Sequence, residues 1–177
     1  NELRDTTLFL PFDFAEQFDL CISEIMADPS PPVLLPETEY IEIHNRSLTA
    51  YNLRNWQLVV GAKKIVLPPY HMAAGSYLLI CDSSFTAQFQ GVPAVGVHWP
   101  SSFLPNSGSS ILLYNAFGDL IFQSEYDPDY AQNEAKSNGG WSLERIDLEN
   151  LCAHAELWQA SKNPSGGTPG YENSVQV

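Results

Sequence analysis

The sequence predicts an all-β protein, folded as an antiparallel β-sandwich with at most one short helix. Short segments rich in aliphatic and aromatic residues recur along the chain, and Pro, Gly, Asn and Ser separate them. Apolar and polar residues alternate within several of these segments, as in residues 40–44 and 56–60. The side chains of a strand point alternately to its two faces, so this pattern is typical of strands that bury one face against a second sheet.

The first two predicted strands lie on either side of a proline-rich connection. Residues 20–26 form the first strand, and four prolines exclude regular structure from residue 29 to Thr38. Residues 39–44 form the second strand, and we assign its Ile41 and Ile43 to the core because they share one face. The side chains on the other face are expected to meet solvent; they are Tyr40, Glu42 and His44.

The middle of the chain supplies two more strands and the one short helix. Residues 56–60 alternate along a third strand, in which Trp56 is a core anchor. Residues 76–81 are dense in Leu and Ile, which predicts a central strand. Asp82 and the two serines after it can cap a short helix that runs to Gln90.

The last part of the chain reads as a hairpin between two irregular regions. Residues 92–110 form a long excursion rich in Pro and Ser. Residues 111–114 and 120–126 predict the two strands of a hairpin around a turn at 115–119. A polar loop follows, then a last strand at 141–146 and a tail rich in turn residues.

The composition describes a single globular domain with an acidic surface. A chain of 177 residues, 44% of them hydrophobic, is long enough to bury a sizeable core. Eight Lys and Arg against 21 Asp and Glu give a net charge of −13. Nucleic acids and anionic lipids are bound through clusters of basic residues, so we expect neither as a partner. No apolar run approaches the ~20 residues that span a bilayer, so we expect no membrane insertion.

Five segments, in a fixed order, resemble one known family. They are residues 23–31 (SEIMADPSP), 39–82 (beginning EYIEIHN), 105–118 (beginning PNSG), 141–147 (WSLERID) and 166–174 (GGTPGYENS). This series resembles the lamin-tail domain, an immunoglobulin-like β-sandwich found in nuclear lamins and in many secreted bacterial proteins. The first segment is similar to the opening strand and loop of the bacterial branch.

The resemblance implies a domain organisation and a class of function. It assigns residues 19–177 to a lamin-tail-like sandwich, and residues 1–18 to a linker or to the remnant of a preceding immunoglobulin-like domain. It implies a non-catalytic structural or protein-interaction module of a larger secreted or surface-attached bacterial protein. Such a module would lie outside the cell, on its surface or in the periplasm, with other proteins or neighbouring domains of the same chain as partners.

Enzyme motifs are absent from the sequence. It contains no metalloprotease HExxH, no nucleophile elbow GxSxG and no phosphate loop, and we therefore expect no enzyme, no catalytic residue and no cofactor. Two alternatives stay open. One is an extracellular domain that binds glycan or calcium, and the other is a hydrolase whose site is assembled from scattered acidic residues and histidines. The histidines are His44, His71, His98 and His154.

An acidic cluster is the strongest candidate for a function beyond packing. Its members are Glu24, Asp28, Glu37, Glu39 and Glu42. Calcium takes six to eight oxygen ligands, which loop carbonyls and the carboxylates of Asp28, Glu37 and Glu39 could supply. The spacing matches no EF-hand, so the favoured interpretation is a solvated acidic loop without a metal.

Three further features each have a structural and a functional interpretation. Cys81 and Cys152 both fall near strand ends, where a disulfide is geometrically feasible, although reduced buried thiols fit equally well. Trp99 and Phe103, in the long excursion, are a candidate binding surface, although such aromatics more often cover the open end of a sandwich. Residues 45–47 fit the N-glycosylation pattern, and we interpret them as turn chemistry.

Overall fold

The computed structural model describes residues 14–127, 136, 138–150 and 157–176. The strands in the described ranges are β1 (Leu20–Met26), β2 (Tyr40–Asn45), β3 (Tyr51–Asn52), β4 (Gln57–Val60), β5 (Lys63–Val66), β6 (His71–Met72), β7 (Tyr77–Asp82), β8 (Ala94–Val97), β9 (Ser109–Tyr114), β10 (Leu120–Tyr126), β11 (Leu143–Arg145) and β12 (Trp158–Ala160). A 3-10 turn, Thr86–Gln88, lies between strands β7 and β8.

These strands form two sheets that pack face to face. The six-stranded sheet has the order β12-β11-β1-β2-β7-β8, and the four-stranded sheet has the order β10-β9-β4-β5. β3 and β6 form a separate two-stranded ladder. The architecture confirms the predicted all-β, immunoglobulin-like sandwich. β8 departs from the antiparallel pattern, because it pairs with β7 in the parallel direction.

The core lies between the two sheets and is built from rows of aliphatic side chains. Ile41 on β2 pairs with Ile25 on β1 and with Ile80 on β7, and all three are buried. Leu58 and Leu113 pair with each other in the four-stranded sheet and are also buried. Burying one such side chain contributes about 1.5–3 kcal/mol, so these rows are the main source of stability.

A guanidinium group lies inside this core. Arg145 is completely buried, and its Cζ lies 5.3 Å from the ring centre of Phe122 and 5.8 Å from that of Trp158. Its Nε and Nη2 donate to the carbonyls of Asp147 and Asn150 at 3.3 and 2.5 Å. Arginine stays charged at any physiological pH, so aromatic faces and carbonyl oxygens take the place of water here. The contacts tie the turn after β11 to the core.

The predicted elements agree with the structure best where alternation is regular. The first strand has the predicted bounds, and the predicted hairpin corresponds to β9 and β10. β8 and β12 were missed because they are short and follow their partner strands after long irregular connections, without a hairpin turn. The expected helix after Asp82 is reduced to the 3-10 turn Thr86–Gln88. Within the described residues, no helix has the length and apolar composition that crossing a membrane requires.

Residues 14–18 lead into β1 and contact the sandwich. Ala15 and Phe18 pack against the core, and the amide of Phe18 donates to the carbonyl of Ile121 on β10 at 2.7 Å. Residues 1–13 lie outside the described residues. The assignment of residues 1–18 to a linker or domain remnant therefore stays a prediction.

Truncating Leu113 tests the aliphatic core. This fully buried residue pairs with Leu58 on one side and Phe122 on the other. Leu113→Ala leaves a cavity, and we expect a loss of about 2–5 kcal/mol in the free energy of unfolding, measured by urea denaturation. Val66→Ala is the matched control, because Val66 is 53% exposed on β5, and its effect should stay within about 0.5 kcal/mol. Equal effects of the two variants would contradict this packing.

Candidate functional site

The outer face of the six-stranded sheet, which points away from the core, is covered by other parts of the chain. Tyr40 and Glu42, which we expected in solvent, are completely buried, and His44 is half-buried. That prediction was wrong because two segments lie across this face. They are the proline-rich connection and a tail segment, defined here as residues 161–176. The two are joined where the amide of Leu34 donates to the carbonyl of Ser165 at 3.2 Å.

Three glutamates lie side by side beneath this cover. Glu24 on β1 is the direct cross-strand partner of Glu42 on β2 and of Glu144 on β11. All three are 0% exposed. We call these three residues the carboxylate row. Like charges in directly opposed positions repel each other, so this arrangement requires compensating contacts.

A β-bulge turns Glu24 toward the outer face. The pairing of β1 with β2 shifts register between Ile22 and Glu24, which leaves Ser23 as the extra residue. The bulge lets Ile22 and Ile25 both reach the core although they are three residues apart. The Ser23 hydroxyl donates to Glu42 Oε1 at 2.7 Å, so the bulge also contributes a hydrogen bond to the row.

The tail segment binds each member of the row through a backbone amide. The three bonds are Thr168 N to Glu24 Oε1 at 3.0 Å, Gly170 N to Glu42 Oε2 at 2.5 Å, and Val175 N to Glu144 Oε2 at 3.2 Å. Backbone N–H groups that leave regular structure need acceptors when they are buried. The row supplies those acceptors, so the carboxylates fix the path of the tail.

Hydroxyl groups complete the hydrogen bonding of the row. Thr168 Oγ1 lies 3.0 Å from Glu144 Oε1 and 3.5 Å from Glu24 Oε2, so it spans two strands. Ser174 Oγ donates to Glu144 Oε2 at 2.8 Å, and the Tyr40 hydroxyl donates to Glu24 Oε1 at 2.7 Å. These contacts use the acceptor capacity of the carboxylates internally.

Burial shifts the ionisation of Glu24 and Glu42 toward the protonated form. Burial raises the pKa of Glu24 to about 7, and the bonds from Tyr40 and Thr168 oppose that rise. Burial, then the charge of Glu24, raises the pKa of Glu42 well above its usual range. Burial and the neighbouring Glu24 also raise the pKa of the Tyr40 hydroxyl. Glu24 and Glu42 therefore retain protons near neutral pH, which relieves part of the repulsion within the row.

Gly167 is the point where the tail comes closest to the row. A Cβ atom at this position would lie 2.5 Å from Glu24 Oε1, 2.6 Å from the Tyr40 hydroxyl and 2.8 Å from Leu35 Cδ1. Turn geometry alone therefore does not account for Gly167. This glycine allows the backbone to approach the carboxylate closely enough for the next residue to bind it.

The calcium candidates do not come together around a common centre. Glu39 Oε2 accepts from Trp99 Nε1 at 2.6 Å and from the Leu104 amide at 3.1 Å, so it holds the excursion in place. Glu37 is exposed and Asp28 is half-buried. Within the described part of the chain, no group of three or more His, Cys, Asp or Glu side chains is arranged to hold a metal ion.

The candidate binding surface in the excursion is an internal packing contact. Phe103 is completely buried, so it cannot contribute to an exposed surface. Trp99 is half-buried, and its ring meets that of Phe103 edge to face with 4.8 Å between centres. The pair closes an end of the sandwich, held there by the bond between Trp99 and Glu39.

The candidate disulfide and the candidate glycosylation site both involve buried or undescribed residues. Cys81 is a buried free thiol, while Cys152 lies outside the described residues, so their pairing stays a prediction. Asn45 is buried, and its Nδ2 donates to the carbonyls of Thr49 and Ala73, as expected for a turn rather than for a glycosylation site.

The histidines of the hydrolase alternative lie on different elements. His44 stacks on the Tyr77 ring at 4.2 Å, and its Nδ1 contacts the carbonyl of Ser76 rather than a carboxylate. His71 and His98 are exposed, and His154 lies outside the described residues. The described histidines therefore form no constellation with the carboxylate row.

Sequence reasoning grouped Glu24 and Glu42 correctly but placed them in solvent and missed Glu144. Two signals were available. Tyr40 alternates with Glu42, and an aromatic residue on a presumed solvent face suggests a covered face. The spacing of three between Ile22 and Ile25 departs from the period of two and indicates a bulge.

Gly167→Ala tests the close approach of the tail to the row. The added methyl group overlaps Glu24 Oε1 and the Tyr40 hydroxyl, so the tail must shift away from its acceptors. We expect a loss of about 1–3 kcal/mol in the free energy of unfolding, measured by urea denaturation. Lys162→Ala, at an exposed position of the same segment, should change it by less than about 0.5 kcal/mol. A Gly167→Ala variant as stable as the parent would show that the approach is not tight.

Calcium is expected to have no specific effect on stability. A bound ion would raise the melting temperature with increasing calcium, because a ligand of the folded state stabilises it. A solvated acidic surface responds to calcium only as it responds to ionic strength. We expect equal melting temperatures in calcium chloride and sodium chloride at matched ionic strength. A rise specific to calcium that is lost in Glu39→Gln would contradict this expectation.

Comparison with known proteins agrees with the fold and the position of the row. A model of the Lamin Tail Domain family matches residues 15–128, more than half of the 177-residue chain. The match contains Glu24 and Glu42, and it ends before Glu144 and the tail segment. No curated protein matches the chain. With the immunoglobulin-like sandwich described above, the match shows that this chain belongs to the lamin tail domain family.

Proposed function

We propose that this domain is a non-catalytic module of a larger secreted or surface-attached bacterial protein, and that it packs against the polypeptide preceding it in the same chain. Its membership of the lamin tail domain family supports a structural or interaction module. The location outside the cell, on its surface or in the periplasm rests on the resemblance to the bacterial branch. The observation that carries the interaction is an exposed apolar surface at one end of the sandwich.

That surface, which we call the entry end, consists of Phe14, Phe117 and Leu48. Their side chains are 64%, 69% and 99% exposed. The rings of Phe14 and Phe117 lie 5.2 Å apart, centre to centre. Leaving large apolar side chains in water forgoes roughly 1.5–3 kcal/mol each, so a cluster of them is typical of an interaction surface.

The entry end lies where the chain runs into the domain. The amide of Phe18 bonds to the start of β10 at Ile121, next to the turn that carries Phe117. The amide of Arg46 donates to the carbonyl of Asp19 at 2.8 Å, which places the loop after β2, with Leu48, at the same end. The polypeptide before Phe14 is therefore tethered beside this surface. A tethered partner has a high effective concentration, so a small apolar contact is enough to dock it.

The carboxylate row supports the non-catalytic part of the proposal. A general acid or base must lie within hydrogen-bond reach of a substrate. All three carboxylates are 0% exposed, and backbone amides of the tail occupy them. The chemically distinctive residues of the domain thus hold its own backbone in place.

The entry end can be tested in the parent polypeptide that carries this domain. We expect Phe117→Ser and Leu48→Ser to lower the melting temperature at which this domain and its preceding neighbour unfold together, because they remove the apolar contact. Tyr171→Ser is the matched control, since Tyr171 is 67% exposed on the tail segment. Differential scanning calorimetry measures the coupled transition.

The same substitutions in the 177-residue chain separate docking from folding. Phe117 and Leu48 are exposed there, so each variant should stay within about 1 kcal/mol of the parent in free energy of unfolding. The proposal fails if the entry-end variants and the Tyr171 control melt alike in the parent polypeptide.

A further inference from the structure

We propose that the tail segment is a proton-dependent latch, which stays closed over the carboxylate row while the row carries protons and opens as the row loses them, with the sandwich still folded. The inference is independent of the entry end. It rests on three observations. These are the hydrogen bonds that hold the tail, the charged groups that lie near the row, and the pairing of the core strands through aliphatic groups that do not titrate.

The row carries much of the attachment of the tail. Three tail amides and the hydroxyls of Thr168 and Ser174 bond to its oxygens. Beyond these bonds, Asn173 Nδ2 donates to the carbonyls of Ser23 and Arg145 at 2.9 Å each. The attachment of the tail therefore depends on three buried carboxyl groups whose mutual repulsion must stay small.

Basic groups do not neutralise the row. Among the described residues, no ion pair joins a Lys, Arg or His side chain to any of its three carboxylates. Arg145 is next to Glu144 in sequence, but alternation sends its side chain into the core on the opposite face. A fully ionised row would thus place three adjacent negative charges in a buried site without a counter-charge, which is strongly unfavourable.

Other titratable groups packed near the row do not supply that counter-charge. On the outer face they are phenols, a thiol and a half-buried imidazole, and on the covering segments they are two carboxylates and one exposed amine. The groups are Tyr40, Tyr77, Cys81, His44, Asp28, Glu172 and Lys162. Lys136 also contacts the tail, but its Nζ donates to the carbonyl of Ser161 and lies over the Trp141 ring rather than pairing with the row. Burial lowers the pKa of His44 and raises the pKa of Cys81 and Tyr77, so these three are chiefly neutral near pH 7.

The direction of the pH effect follows from the raised pKa of Glu24. In the closed state the value is about 7, and when the tail opens and water reaches the carboxyl it returns toward 4.5. The stabilisation of the closed state is complete below pH 4.5 and is lost as pH rises through 7. From Glu24 alone, the opening constant should rise roughly seventy-fold between pH 5 and pH 8.5. Glu42, whose pKa is also raised, acts in the same direction.

Opening the tail does not require the sandwich core to unfold. Most of the pairs that join β4 and β9 are aliphatic, such as Leu58 with Leu113, and these groups do not titrate. The tail contributes no strand to either sheet. Opening it removes the cover from one face but breaks no ladder, so local opening is distinct from global unfolding.

Hydrogen exchange of the 177-residue chain between pH 5 and pH 8.5 tests the latch. Rates are divided by the intrinsic exchange rate at each pH. The tail is read at the amides of Thr168, Gly170 and Val175, and global unfolding is read at the amides of β4 and β9. We expect the corrected opening constant of the tail to rise by roughly seventy-fold or more and to exceed that of the sheet at every pH, because the tail opens without global unfolding. Global unfolding also frees Glu24, so the constant of the sheet rises with pH as well.

Two substitutions assign the effect to the row. Glu24→Gln keeps an acceptor for Tyr40 and Thr168 but cannot ionise, so the pH dependence of tail opening should weaken clearly and keep only the part that Glu42 contributes. Glu42→Gln, used also in case the first variant does not fold, should reduce it as well. Glu172→Gln removes an exposed charge from the same segment and should behave like the parent. A tail opening constant that is independent of pH in the parent would overturn the latch, as would tail amides that exchange at the rate of β4 and β9 throughout.

Discussion

The architecture depends on covering the second face of the six-stranded sheet. A two-layer sandwich buries one face of each sheet, and the other face commonly meets water. Here the outer face carries Glu24, Glu42 and Glu144 in one cross-strand row, and the tail segment lies over it. The bulge in β1, the close approach at Gly167 and the route of the tail all serve that one contact.

The cover is held by polar contacts. These contacts give the tail segment a defined position, but they are destabilised when the buried carboxyl groups ionise. An apolar cover could slide, because apolar contacts have little directionality. A carboxylate that accepts a backbone N–H fixes both the distance and the residue that binds it. The buried acid in turn favours its protonated form, as the raised pKa of Glu24 shows. Precision of placement and sensitivity to pH are thus two consequences of using carboxylates in a dry site.

The sequence predicted the elements that local residue patterns determine. It did not predict burial or pairing that depends on segments far apart in the chain. Regular alternation was enough for β1 and for the β9–β10 hairpin. It could not show that Glu42 is buried, since an alternating strand looks the same whether water or a tail segment lies on its polar side. β8 and β12 were missed for a related reason. β8 pairs with β7 in the parallel direction, and β12 pairs with β11 across a long connection, so neither pairing has a hairpin turn that the sequence would reveal. Phe103 looked like a ligand contact, and only packing shows it to be internal.

The row also bears on where this domain ends. The family match stops at residue 128, before β11 and the tail segment. If the folded unit stopped there too, Glu24 would lose its partner strand β11 and its bond from Thr168, and Glu42 would lose its bond from Gly170. A strand edge and two acidic side chains would then be open to solvent on one face of the sheet. Because these residues are completely buried, the folded domain includes β11 and the tail segment, which lie beyond the matched region.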